Sequence, residues 1–80
     1  GGTDELDDAY RWYESQREGL GEELLAEFVA SVERVSANPS LYPFVQGETR
    51  RAPLRRFPYS LFYRVRDGGI LIALAPSGRA

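Results

Sequence analysis

"YSLFYRVRDGGILIALA", residues 59–75, decides the fold. In its first half Tyr59, Leu61, Tyr63 and Val65 alternate with Ser60, Phe62, Arg64 and Arg66. A period of two predicts a half-exposed strand, Tyr59 to Arg66, with one apolar face. Asp67, Gly68 and Gly69 follow, and a DGG run is a strong hairpin signal. Ile70 to Ala75 is then an unbroken apolar run of strand length, which predicts a central or covered strand. Working upstream, Arg50 to Arg56 reads as a third strand. Pro53 weakens it by removing a ladder donor, which fits a sheet edge or a bulge.

Before this meander the period is helical. Residues 4–17 repeat Leu6, Ala9, Tyr10 and Tyr13 on one face, with acids on the other. Thr3 is the expected N-cap, and Asp4, Glu5, Asp7 and Asp8 sit where the helix dipole favours negative charge. Gly19 and Gly21 stop this helix and open the next. Residues 22–37 carry a wide apolar stripe of Leu24, Leu25, Phe28, Val29, Val32 and Val35, and "NPSLYP" ends it. The short connection predicts an antiparallel αα-hairpin. The fold class is therefore α+β: an αα-hairpin packed on a three-stranded antiparallel sheet. Leu6, Tyr10, Tyr13, Leu25, Phe28, Val32, Leu61, Tyr63, Ile72 and Leu74 form the expected core.

Eighty residues make one domain, 1–80, that buries only about 60% of its unfolded surface. The chain has no cysteine and no histidine. Disulfides and Cys- or His-based nucleophilic catalysis are excluded, a zinc site is disfavoured, and a reducing cytoplasm fits. No metal or cofactor is expected. No apolar run reaches the ~20 residues of a membrane span. The opening "GGTDEL" reads as an artificial leader or a truncation point rather than a natural terminus. The acids lie on helix faces at solvent-like positions, with no pair set in an apolar surrounding that would suit general acid–base work.

The net charge of −2 conceals a division. Residues 1–49 hold eleven acids and three arginines, a net of −8, and residues 50–80 hold seven arginines and one acid, a net of +6. The stretch "RRAPLRRFPYSLFYRV", residues 50–65, concentrates this: five arginines, four aromatics and no acid. Such a band suits phosphates and stacked bases, or an acidic protein partner. It equally suits pairing with the acidic helices, with Phe57, Tyr59 and Tyr63 as core. Arg64 and Arg66, on the polar face of their strand, are the expected free charges.

Taken in order, "AYRWYESQREGLGEELLAEF", "ANPSLYPFV", "RRAPLRRFPYSLFYRV" and "ILIALAPSGRA" resemble the RelE/ParE superfamily of type II toxin–antitoxin toxins. The resemblance is closest to the ParE-like, plasmid-stabilisation branch and covers roughly residues 5–79. It implies an αα-hairpin on an antiparallel sheet, normally with a further N-terminal strand that is missing here. It implies a cognate antitoxin and, for the ParE-like branch, inhibition of DNA gyrase by protein–protein binding without catalytic residues. With the basic balance of residues 50–80, the expected partner-binding residues are Arg51, Arg55, Arg64, Arg66 and Arg79. The alternative is a RelE-like ribosome-dependent mRNA endoribonuclease using Arg51, Arg55 and Arg79. Against that, Ser60 stands where the nuclease branch has an arginine, Pro76 where a histidine is common, and no tyrosine follows Arg79. A third reading is a non-toxic remnant that only binds an antitoxin.

Overall fold

The computed structural model describes residues 2–78. Helices α1 (Gly2–Gln16) and α2 (Leu20–Ala37) form the hairpin, and strands β1 (Phe44–Gln46), β2 (Thr49–Pro53), β3 (Tyr59–Arg66) and β4 (Gly69–Pro76) follow. The strands make one antiparallel sheet in the order β1-β2-β3-β4. The α+β class stands, with four strands in place of three.

The hairpin is fastened at the glycines. Gly19 adopts φ 92°, a left-handed conformation that costs glycine little, and serves as the N-cap of α2 without a side chain of its own. Glu14 substitutes for that side chain: its two carboxylate oxygens accept the Gly19 and Gly21 N–H groups, each at 2.9 Å. Two orphan donors at the helix start are thereby satisfied. Gly21 is needed for close approach. A Cβ there would lie 2.7 Å from the Tyr10 carbonyl oxygen and 2.9 Å from Glu14 Oε1. Gly21 is thus an interior residue of α2 rather than a stop between helices, and α1 already includes Thr3.

The core departs from expectation by one helical position. Leu24, Ser31 and Val35 are buried on α2, with Phe28 and Val32 partly buried against them, while Leu25 stands outside the core cluster. On α1, Ala9 is buried and Tyr10 is not in the cluster; the Tyr10 hydroxyl donates to Glu22 instead. The stripe on α2 is wider than the sheet it faces, so two adjacent rows fit the helical period and only one, a rotation of about 100° away, is covered. Leu6, Tyr13 and Ile72 pack around the core as expected, and Leu61, Tyr63 and Leu74 lie within it. Ala52, Leu54 and Phe57 complete it.

On β3, Leu61 lies between Ala52 and Leu74, and Tyr63 between Arg50 and Ile72. The Tyr63 hydroxyl donates to the Pro39 carbonyl at 2.8 Å, tying the α2–β1 connection to the sheet. Burial pushes the Tyr63 phenol up, partly offset by Arg50. Val65 shares this face yet is half-exposed, where the sheet outruns the helices. Asp67 (φ 42°) and Gly68 (φ 81°) both adopt positive φ, as a two-residue primed turn demands. Two sheet expectations fail. Residues 44–46 form a strand, too short for any period to reveal, and all three are exposed. That strand makes β2 interior rather than an edge, and β2 ends at Pro53, not Arg56. β4 is an edge strand, yet it is covered on one face, where α1 packs and Leu74 is buried.

Replacing Leu24 by alanine is expected to cost about 2–5 kcal/mol, and the same change at Leu25 about 1 kcal/mol or less. Urea unfolding of the two variants checks this. Gly21→Val is expected to destabilise by about 1–3 kcal/mol through overpacking against Tyr10 and Glu14, read from the same transition.

Candidate functional site

The arginine band divides into three groups. Strand alternation puts Arg51, Arg64 and Arg66 on the sheet face opposite the core, together with Phe62. Arg51 lies directly across from Phe62, Phe62 from Ala73, and Arg64 from Leu71. Phe62, Leu71 and Ala73, with Thr49 and Arg64, line a shallow groove of about 300 Å³ on this open face. Leu71 is 60% exposed there. Arg64 Nε donates to Thr49 Oγ1 at 3.0 Å. Among the described residues, none of these three arginines forms an ion pair.

The second group is held internally. Arg50 stacks its guanidinium 3.8 Å from the Phe44 ring centroid and donates from Nη1 to the Tyr42 carbonyl at 2.5 Å. Arg56 pairs with Glu23 at 3.1 Å and Glu27 at 3.6 Å. Here the halves of opposite charge do meet.

Arg55 is alone in the third group. It lies in the β2–β3 loop, where its N–H donates to the Glu27 carboxylate and its side chain makes no ion pair among the described residues. The expected partner-binding set is therefore not one patch. Arg51, Arg64 and Arg66 share the open face, Arg55 sits beside α2, and Arg79 lies outside the described residues.

Glu27 corrects the expectation that the acids merely solvate helix faces. One of its oxygens accepts the Arg55 and Arg56 N–H groups, the latter at 3.2 Å. The other, Oε1, is buried without a hydrogen bond and is answered by charge alone, from Arg56 Nε. Glu14 is likewise structural. The sequence signal for Glu27 was its place among the apolar residues of α2. The signal for the groove was present in "ILIALA", where alternation separates Leu71 and Ala73 from Ile72 and Leu74.

The Tyr10 phenol is pushed up to about 12 by its hydrogen bond to Glu22, and burial raises Tyr13 and Tyr63. All three stay protonated near neutrality. Ser60 is fully buried, its hydroxyl 2.9 Å from that of Ser77. A buried position of that kind is poorly suited to present a charged side chain to a substrate. Among the described residues, no cluster of three acids is placed to hold a metal.

A family model described as "ParE toxin of type II toxin-antitoxin system, parDE" matches residues 3–75. No curated protein and no solved structure matches the chain.

Glu27→Gln keeps one acceptor but loses the charge that answers Arg56. The expected outcome is a loss of about 1–3 kcal/mol, with faster amide hydrogen exchange at Arg55 and Arg56. Unchanged protection at those two amides would remove Glu27 from this role.

Proposed function

The chain belongs to the ParE toxin family of type II toxin–antitoxin systems, and from that premise we propose that it acts by binding a protein rather than by cleaving a bond. Its target is DNA gyrase, its place of action the cytoplasm, and a cognate antitoxin silences it. The antitoxin covers the open face of the sheet. The observation that carries this is the set of three arginines without ion pairs, Arg51, Arg64 and Arg66, around an apolar groove containing Phe62 and the exposed Leu71.

The physical complement of such a face is a segment with acidic and apolar side chains. Phe62 and Leu71 supply area to bury, worth about 25 cal/mol per Å² before the costs of association. The arginines keep their charge when desolvated and grip carboxylates through two parallel bonds. A segment that folds on this face stabilises the toxin by mass action. The buried Ser60, where the nuclease branch carries an arginine, supports a non-catalytic toxin over a ribosome-dependent nuclease. No helix is long and apolar enough to cross a membrane among the described residues.

The test measures affinity for the antitoxin encoded beside this chain, across a salt series, for the wild type and the Arg64→Ala, Arg66→Ala pair. Rim charges act mainly on association rate and salt slope. The double variant should therefore associate more slowly and with a shallower slope. Identical slopes would move the interface elsewhere. In parallel, the toxin should inhibit gyrase supercoiling and leave mRNA intact on translating ribosomes. Codon-specific cleavage that is lost in Arg51→Ala would reverse the assignment.

A further inference from the structure

A second basic site lies on the other side of the sheet, between α2 and the β2–β3 loop. Ala26 and Ala30, one helical turn apart, line the α2 wall of a groove of about 390 Å³, and Arg34 and Arg55 also line it. Its remaining charges, Glu23, Glu27 and Arg56, are committed to one another. Arg34 and Arg55 are not. Arg34 Nε makes a long hydrogen bond of 3.4 Å to the Tyr42 hydroxyl, and neither arginine has a carboxylate within ion-pair distance among the described residues.

We infer that this groove docks an acidic helix of a protein partner, at a site distinct from the open sheet face. Charge complementarity identifies the occupant. Two guanidinium groups without counter-charges remain after the internal pairs are formed, so the matching carboxylates come from outside. The shape agrees with a helix. From Glu23 to Arg34 the groove follows α2 for about 16 Å, or three turns, at 1.5 Å per residue. Methyl side chains at 26 and 30 leave room for a second helix to approach closely. Glu27 fixes the far wall by holding the Arg55 and Arg56 amides, which presents Arg55 at the groove in a set position.

This site stands independently of the sheet face, and the experiment separates them. The probe is a capped helical peptide of about four turns, with alanine and leucine along one face and glutamates flanking it, compared with a twin carrying Gln for Glu. Binding is followed by amide chemical shifts of the full chain. The Glu peptide should bind about tenfold more tightly than its twin, shifting the amides of Ala26, Ala30, Arg55 and Arg56. That preference should vanish in the Arg34→Gln, Arg55→Gln variant and persist in Arg64→Gln, Arg66→Gln. Ala30→Leu, which fills the groove while keeping a good helix former, should abolish binding. Equal affinity for the two peptides, or shifts confined to Phe62, Leu71 and their neighbours, would overturn the inference and leave the sheet-face assignment untouched.

Discussion

The carboxylate of Glu27 decides which arginines this molecule keeps for others. It projects from α2 toward the β2–β3 loop, takes the Arg55 and Arg56 amides, and draws the Arg56 guanidinium onto α2 with help from Glu23. An exposed ion pair of this kind contributes little by itself. The Glu27 side chain, however, is only 12% exposed, and one oxygen has no hydrogen bond. Removing Arg56 would leave a nearly buried negative charge unanswered, the costly half of such a pair. The contact also closes the loop that connects β2 to β3, and so sets the end of the strand pair on which the open face is built.

The rest of the architecture separates two faces of β3. Its inward residues, Leu61 and Tyr63, carry the contact with the helices, and the Tyr63 hydroxyl reaches the Pro39 carbonyl to bring the chain from α2 back to the sheet. Its outward residues, Phe62, Arg64 and Arg66, face away from the core. The hairpin supports the inward face through one close contact, Gly21 against Tyr10 and Glu14, which brings α1 and α2 together. Pairing between the charged halves is local: Arg56 meets Glu23 and Glu27, while Arg17 pairs with Glu23 inside the acidic half. The remaining positive charge of residues 50–78 is distributed over two sides of the sheet.

Much of this was legible in the residues, for identifiable reasons. β3 has a strict period of two, and alternation has a single solution once one face is apolar. The DGG turn is chemically specific, and both of its positive-φ residues appear where expected. The stripe on α2 had two solutions, and only packing against the sheet could choose Leu24 over Leu25. β1 has three residues and no period, so nothing in "FVQ" announces a strand. The resemblance carried by "RRAPLRRFPYSLFYRV" agrees with the family match over residues 3–75. What the arginines do was the least legible part, because it depends on long-range partners. Arg50, Arg51, Arg55 and Arg56 look alike in sequence, yet Phe44, the open sheet face, the α2 groove and Glu27 give each a different setting.

Sorting of the arginines is the central claim, and hydrogen exchange of the arginine guanidinium protons, Nε and Nη together, followed by NMR in the isolated chain, tests it most directly. Slow exchange is expected at Arg56 and Arg50, which are held by the Glu23–Glu27 pair and by Phe44 with the Tyr42 carbonyl. Fast exchange, sensitive to added salt, is expected at Arg51, Arg55 and Arg66, with Arg64 intermediate through its bond to Thr49. Uniformly fast exchange at all six, or protection of Arg51 and Arg66 beyond that of Arg56, would contradict the account.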